Sequence, residues 1–147
     1  WDKIKQKEKK DKKEKGSLLK NIPKHLPALL RAEKLQKRAS RVGFDWANVN
    51  GVWEKIHEEI EEIKECIDNN DLDKIKEEVG DALFSLVNLA RKYDIDPEDA
   101  LQQSNKKFMK RFTYIEETTK ELNKTLEESS LDEMDVLWKE AKVKLKN

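Results

Sequence analysis

A pair of acidic residues lies on each side of a short polar break, and these two pairs constrain the fold of the chain more than any other feature of the sequence. Glu59 and Glu62 precede the break at residues 69–71, and Glu78 and Asp81 follow it. The i,i+3 spacing places each pair on one face of a helix, and so short a break turns one helix back against the next. Four carboxylates are therefore predicted to converge. Because like charges repel, such a cluster implies bound cations.

The composition of the chain is that of one helical domain. Its 147 residues contain only four Gly and three Pro, and apolar residues recur at helical spacing in most of the sequence. The predicted fold class is all-α, an antiparallel helical bundle with the acid motif on two successive helices, completed by dimerisation. Residues 1–21 are predicted to be a charged linker from a preceding domain, and residues 22–147 the helical domain itself.

Charge and cysteine content exclude several classes of function. Charged residues make up 42% of the chain with a formal net charge of +0, which argues against a nucleic-acid coat or a polybasic membrane anchor. No apolar run approaches the roughly 18 residues that span a bilayer. The single cysteine, Cys66, allows no internal disulfide and fits a reducing cytosol. We therefore expect a cytoplasmic protein that binds neither nucleic acid nor membrane.

The apolar spacing predicts which face of each helix is buried. Around residues 49–68 and 72–93 the predicted buried stripes are Val52, Ile56, Ile60, Ile63 and Ile67, and Ile75, Val79, Ala82, Leu83, Leu86 and Ala90. Phe84 and Val87 give the later helix a second apolar side, which favours a homodimer. Asn105 interrupts a further stripe, from Leu101 to Leu122, and is expected to point inward.

The acid pairs stand apart from their Glu-rich surroundings. At about 100° per residue, Lys55, Glu59 and Glu62 share one flank beside the apolar stripe, whereas the other acids nearby turn toward solvent: Glu58, Glu61 and Glu65. Glu78 and Asp81 lie on a flank with Ser85 and Asn88. All-oxygen ligands indicate Mg²⁺, with Mn²⁺ as the other possibility, rather than zinc. The Glu-x-x-His pairs of a di-iron bundle are missing.

Basic and aromatic residues suggest what such a cluster binds. Lys55 beside carboxylate-held metal has the composition of a polyphosphate site. Lys107 and Arg111 share another basic flank, which by its pattern alone is ordinary surface charge. Trp46 and Trp138 are candidates for stacking on a base, although their pattern favours core packing for each. No Ser/His/Asp or Cys/His grouping and no glycine-rich phosphate loop occurs. An enzyme of this kind would use water activated by metal and carboxylate.

The acid motif and its flanking text resemble the all-α nucleoside triphosphate pyrophosphohydrolases, and among them the MazG family. The motif is ExxE at 59–62 followed by ExxD at 78–81. The supporting strings are LPALLRAEKLQKRASRVGFDW (26–46), EEVGDALFSLVNLAR (77–91) and ALQQSNKKFMKRF (100–112). With the segment around Trp138, the similarity covers about residues 22–146. It resembles the C-terminal, catalytic half of a two-domain MazG.

The resemblance implies Mg²⁺-dependent hydrolysis of a nucleoside triphosphate to the monophosphate and pyrophosphate by a helical homodimer, in a house-cleaning role. It implies that the four acids of the motif, Glu59, Glu62, Glu78 and Asp81, bind the metal and carry catalysis. The phosphates would contact Lys55, Lys107 and Arg111, and Trp138 would lie near the nucleotide. Asn88, Asn105 and Lys34 are further substrate-binding candidates.

Two other functions remain open from the sequence. One is a narrow pyrophosphatase for dUTP or dCTP, since base and sugar preference cannot be read from the residues. The other is a non-catalytic, metal-binding helical interaction module, in which the acids form a solvated or calcium-binding face.

Overall fold

The structure, a computed structural model, describes residues 1–5 and 16–146, and these are helical without any strand. Residues 2–5 form one helical turn. The longer helices are α1 (Ala28–Ser40), α2 (Val49–Asp68), α3 (Leu72–Lys92), α4 (Pro97–Glu121) and α5 (Leu131–Leu145). The predicted all-α fold class is confirmed. The predicted linker at 1–21 includes residues 6–15, which lie outside the described residues.

Short polar side chains begin several of the helices. Asn48 Oδ1 accepts a hydrogen bond from Gly51 N at 3.3 Å, and Asp71 Oδ1 accepts one from Lys74 N at 3.2 Å. Ser130 does the same at the start of α5. Each cap satisfies a backbone N–H that has no partner within the helix. Because Asp71 follows the last residue of α2, Asp68, by only three positions, the polar break at 69–71 turns the chain directly from α2 into α3, and the two helices pack together.

Four helices end with the same pair of backbone hydrogen bonds. After α1, Gly43 N donates to Ser40 O at 3.0 Å and Phe44 N donates to Ala39 O at 3.1 Å. This is a Schellman motif, which needs a residue of positive φ. That residue is glycine after α1 and Asn or Asp after α2, α3 and α4: Gly43 (φ 88), Asn70 (φ 53), Asp94 (φ 55) and Asn123 (φ 57).

The chain divides into two compact units, Trp1–Glu98 and Asp99–Asn147. In the first unit α3 packs against both α2 and α1. One tie between α1 and α3 is a hydrogen bond from Gln36 Nε2 to Phe84 O at 2.9 Å. Ile22, near the N-terminal end of the continuous described segment, is buried in this unit.

The buried faces of α2 and α3 differ from the predicted apolar stripes. The buried residues are Val52, Ile56, Glu59 and Cys66 on α2, and Glu78, Ser85 and Val87 on α3. Several predicted core residues are 41–54% exposed: Ile60, Ile67, Val79, Leu83 and Leu86. The prediction was wrong because helical periodicity shows which faces are apolar, but not which of them a single chain covers. Val87, only 1% exposed, likewise belongs to the interior and not to a second outer side.

The second unit contains most of α4 and all of α5. Ile115, Thr119 and Ala141 are buried in it, whereas every residue from 101 to 110 is exposed. Asn105 therefore does not point inward, contrary to the prediction. Its neighbours in the predicted stripe, Leu101 and Phe108, are exposed as well, so nothing in this stretch of one chain covers that face of α4.

Candidate active site

The carboxylates of Glu59, Glu78 and Asp81 converge on one place between α2 and α3. Each offers one oxygen, and these oxygens all lie within 4.8 Å of one another. Glu59 is 2% and Glu78 is 8% exposed, whereas Asp81 is exposed. Glu62, one turn after Glu59, is half-buried and interacts with both Glu59 and Glu78. The turn at 69–71 thus brings the two acid pairs of the sequence together.

The pKa values of the two buried carboxyl groups, Glu59 and Glu78, are shifted in opposite directions. Hydrogen bonds with Glu59 and with Glu62, together with burial, raise the pKa of Glu78 to about 7. Burial also acts to raise the pKa of Glu59, but hydrogen bonds from Lys55 and Glu78 outweigh it and bring that pKa below its ordinary value. Without a cation, the cluster therefore holds a proton on Glu78 near neutral pH, because adjacent carboxylates cannot all ionise without a counter-charge.

The donor set of the cluster fits a hard divalent cation. Oε2 of Glu59 and Oε2 of Glu78 are buried and accept no hydrogen bond in the described part of the chain. Buried acceptor oxygens without a partner are costly, and a bound cation satisfies them. Carboxylate oxygens are the ligands that Mg²⁺ and Mn²⁺ prefer. These residues therefore fit the kind of metal that the sequence predicted, while the identity of the ion is not fixed by them.

Lys55 connects the acid cluster to a neighbouring cavity. Its Nζ lies 2.9 Å from Oε1 of Glu59 and 3.7 Å from Oε2 of Glu58. The ion pair with Glu59 is the main cause of the raised pKa of Lys55, so this lysine remains charged. Lys55 also lines the cavity. A ligand in the cavity would therefore meet a fixed positive charge next to the carboxylates.

The cavity has a volume of about 580 Å³ and lies wholly within the first unit. This volume is in the range of small-molecule sites. α1, α3 and the connection between α1 and α2 supply most of its walls: Leu35, Gln36, Ala39, Gly43, Phe44, Asp45, Trp46, Phe84, Ser85, Asn88 and Arg91. Ser85 follows Asp81 by one turn of α3, so the cavity begins where the acid cluster ends.

Trp46 forms a fixed part of the cavity wall. Its ring lies over the first turn of α2, where a Cβ atom added to Gly51 would be 2.9 Å from Cε3 of Trp46. Such a contact is closer than real side chains allow, so Gly51 is the residue that permits this approach. Trp46 is 39% exposed, and it therefore keeps an accessible ring surface next to the cavity.

The structure places the remaining predicted site residues in two groups. Asn88 lines the cavity, whereas Lys34 is an exposed residue of α1 that does not line it. The others belong to the second unit. There the Arg111 guanidinium lies 5.2 Å from the ring centroid of Trp138, and Phe108 packs on the same ring at 5.6 Å. Lys107 and Asn105 are exposed on α4.

Three residues at the cavity were given no role from the sequence: Gln36, Asp45 and Arg91. They form a polar network in its wall, in which Gln36 is buried, the side chain of Arg91 is 11% exposed and that of Asp45 is 24% exposed. Asp45 lies within the GFDW string, between two aromatic residues. Arg91 falls one turn after Asn88 on the flank that carries Glu78 and Asp81. The charged side chain of Arg91, which continues that flank, was the sequence feature that could have identified it as a site residue.

The region of this chain that carries the acid motif matches a known protein domain. Residues 49–116 match the MazG nucleotide pyrophosphohydrolase domain, a range that contains the four acids, Lys55 and Arg111. The chain is 44% identical over 142 residues to a Thermotoga maritima protein named nucleoside triphosphate pyrophosphohydrolase/pyrophosphatase MazG. It is 40% identical over 144 residues to the nucleoside triphosphate pyrophosphohydrolase of Escherichia coli K12.

The extent of these matches differs between this chain and its relatives. In both cases 97% of the chain is matched, but it spans only 54% of the relative's length. A Bacillus subtilis protein named uncharacterized protein YabN is 50% identical over 143 residues, again 97% of this chain, but 29% of that protein. The domain match and the identities together show that this chain belongs to the MazG family of nucleotide pyrophosphohydrolases.

Proposed function

We propose that this chain hydrolyses nucleoside triphosphates to the monophosphate and pyrophosphate in a reaction that depends on Mg²⁺. The observation that carries the proposal is the convergence of acidic side chains from α2 and α3 next to a lysine-lined cavity. The names of the relatives from Thermotoga maritima and Escherichia coli support the same reaction.

Glu59, Glu62, Glu78 and Asp81 would hold the metal. Bound there, Mg²⁺ would draw electron density from phosphate oxygens and favour formation of hydroxide from water. The buried oxygens of Glu59 and Glu78 that lack hydrogen-bond partners support this assignment, as does the absence of nitrogen and sulfur donors from the cluster.

The side chains of this chain have separable roles in the proposed reaction. Lys55 neutralises charge on the polyphosphate beside the acid cluster, because its ammonium group is held there by Glu59. Glu62 is the better candidate for the base that accepts a proton from the attacking water, since Glu59 is already engaged by Lys55. The water attacks the α-phosphorus, and pyrophosphate leaves.

The nucleoside part of the substrate lies in the cavity of the first unit. Its apolar lining suits a base and its volume of about 580 Å³ exceeds that of a nucleoside, which leaves room for bases of different size. Trp46 presents an aromatic surface there. From the family resemblance, Lys107 and Arg111 contact the phosphates, Trp138 lies near the nucleotide, and Asn105 and Lys34 are more distant polar contacts.

The active form is proposed to be a homodimer. α2 leaves Trp53, Ile60 and Ile67 at least 41% exposed at seven-residue spacing, and α3 leaves Val79, Leu83 and Leu86 exposed along one face. Exposed apolar stripes of this extent are typical of interfaces.

No helix in the described parts of the chain is both long and apolar enough to cross a membrane. We further propose a cytoplasmic, house-cleaning role.

The reaction is tested by identifying its products. Incubation with ATP, dATP, dUTP and dCTP in Mg²⁺ should release pyrophosphate and the matching monophosphate, and should do so in ¹⁸O-labelled water with the label in the monophosphate. Release of orthophosphate, or label in pyrophosphate, would contradict attack at the α-phosphorus. Cleavage confined to dUTP or dCTP would replace a broad specificity by a narrow one. If the protein cleaves none of these nucleotides, and if Mg²⁺ with a non-hydrolysable nucleotide does not raise its Tm, the alternative function as a non-catalytic interaction module would be favoured.

A further inference from the structure

Arg91 ties three separate parts of the cavity wall together. Its Nη1 and Nη2 donate to Oδ2 and Oδ1 of Asp45 at 3.2 and 2.6 Å. Nη2 also donates to Oδ1 of Asn88 at 3.0 Å, and Nε donates to Oε1 of Gln36 at 3.4 Å. One guanidinium group therefore holds the connection between α1 and α2, a residue of α3 and a residue of α1.

This arrangement fixes which end of the Asn88 amide faces the cavity. A guanidinium group has only N–H donors, so the atom of Asn88 next to Arg91 must be its carbonyl oxygen. The amide nitrogen is then turned away from Arg91, and it donates to no acceptor in the described part of the chain. Asn88 lines the cavity, and it therefore offers a hydrogen-bond donor rather than an acceptor to a ligand.

The side-chain amide of Gln36 is also oriented by Arg91, but both its oxygen and its nitrogen form hydrogen bonds within the protein. Its Oε1 accepts from Arg91, and its Nε2 donates to Phe84 O at 2.9 Å. Both ends of this buried amide are thus used within the protein. Of the two amides that contact Arg91, only Asn88 remains able to bind a ligand through a donor.

The ion pair with Asp45 holds the aromatic side of the cavity. Lys92 Nζ donates to Oδ2 of Asp45 at 2.9 Å and to the carbonyl oxygen of Trp46 at 2.6 Å. The hydrogen bonds from Arg91 and Lys92 keep the pKa of Asp45 well below its ordinary range. The segment that carries Trp46 is therefore clamped to the end of α3 by a carboxylate that stays ionised.

We propose that Arg91 is a positioning residue for the nucleoside part of the substrate. It orients Asn88 so that the amide nitrogen donates to an acceptor atom of the base or sugar, and through Asp45 it holds the segment that carries Trp46 in the cavity wall. This inference rests on the proposed function and adds a specificity element to it. Arg91 itself does not contact the phosphates, so its effect is confined to substrates that carry a nucleoside.

The substitution Arg91→Lys tests this role. A lysine still pairs with Asp45, but it cannot also hold Asn88 and Gln36 in one plane. We expect the Kd of a non-hydrolysable nucleoside triphosphate and the KM for ATP to rise about tenfold, with kcat changed less than about threefold. Inhibition by inorganic tripolyphosphate, which has no nucleoside, should be unchanged. Arg41→Lys, at an exposed arginine, is the matched control and should behave as wild type.

A second variant keeps the Arg91 contact and removes only the donor. Asn88→Asp retains an oxygen for Arg91 but replaces the amide nitrogen by another oxygen. It should weaken binding of the nucleotide at least as much as Arg91→Lys, and more than it weakens binding of tripolyphosphate. In an Asn88→Ala background, Arg91→Lys should have a clearly smaller effect, because residues that act together are not additive.

The outcomes separate this inference from the proposed function. If the wild-type protein cleaves nucleoside triphosphates but both variants bind them normally, the positioning role is wrong and the proposed function stands. Equal losses for nucleotide and tripolyphosphate would also overturn it, since they would place Arg91 and Asn88 at the phosphates. If the wild-type protein neither binds nor cleaves nucleotides, both proposals fail.

Discussion

Lys55 Nζ lies 2.9 Å from Oε1 of Glu59, and the same lysine lines the cavity beside the acid cluster. One side chain therefore touches both the carboxylates and the space that we assign to the nucleotide. Its position on α2, one turn before Glu59, makes this possible, because residues four apart lie on the same helix face.

Replacing Lys55 should reduce catalysis without removing the metal. We expect Lys55→Met to lower kcat/KM for a nucleoside triphosphate about 10- to 100-fold, because the phosphates lose a fixed counter-charge. Binding of Mg²⁺, measured by calorimetry, should persist since all four carboxylates remain. Lys64→Met, at a lysine of the same helix that pairs with the exposed Glu61, is the control. Equal activity of the two variants would exclude Lys55 from the site.

Without metal, the acid cluster should make stability depend on pH. The pKa of Glu78 is raised to about 7, above its value in an unfolded chain, so the folded state holds the proton more tightly. This contribution to stability is complete below the unfolded pKa and is lost as pH rises through about 7. The metal-free protein should therefore have a lower Tm at pH 8 than at pH 5.5.

Mg²⁺ should reverse this trend, because the cation favours ionised carboxylates. Glu78→Gln should flatten the metal-free dependence of Tm on pH, and it should reduce the increase in Tm that Mg²⁺ produces. Differential scanning fluorimetry in EDTA and in Mg²⁺ measures both effects. A metal-free Tm that rises steadily from pH 5.5 to 8 in the wild type, and equally in Glu78→Gln, would contradict the shared proton.

The stabilisation by the Asp45–Arg91 pair should depend on pH in the opposite way, being lost at low pH instead of at high pH. The pKa of Asp45 is lowered by its hydrogen bonds from Arg91 and Lys92, so its stabilising effect is present above the unfolded pKa of Asp and is lost as pH falls below it. Because Asp45 is partly exposed, we expect Asp45→Asn to cost only about 1 kcal/mol at pH 7, and less below pH 4. Urea unfolding at the two pH values measures the difference. A loss that is the same at both would mean that the charge of Asp45 is not what stabilises the clamp.

The exposed stripe on α3 should be an interface between two copies of this chain. Leu83 is 50% exposed, and a lysine there would introduce a charge at the centre of the stripe. We expect Leu83→Lys to convert a dimer into a monomer in analytical ultracentrifugation at micromolar concentration, with helicity retained. Val143→Lys, at a residue of α5 that is 73% exposed, is the control. If the wild-type protein sediments as a monomer, the proposed homodimer is wrong.

Local features of the sequence predicted the helices well. The helices predicted around residues 49–68 and 72–93 match α2 and α3, and the turn predicted at 69–71 follows from Asn70, which adopts a positive φ, and from Asp71, which caps α3. The grouping of the two acid pairs follows from the same turn together with their spacing, since both are properties of neighbouring residues.

Burial was harder to predict, because it depends on what covers each face. Leu83 and Ile60 have the spacing of core residues but are exposed in one chain, whereas Glu59 and Glu78 are buried. The role of Arg91 was missed for a related reason. Its partners Asp45 and Gln36 are 46 and 55 residues away in the sequence, so only the folded chain shows that they meet.

The most direct test compares two glutamates of α2 that differ in where they point. Glu59 is buried in the acid cluster, while the side chain of Glu61 is 69% exposed. Pyrophosphate release from a nucleoside triphosphate in Mg²⁺ should fall at least about 100-fold in Glu59→Gln and remain at the wild-type rate in Glu61→Gln. Equal rates in the two variants would show that the carboxylate cluster is not the catalytic centre of this protein.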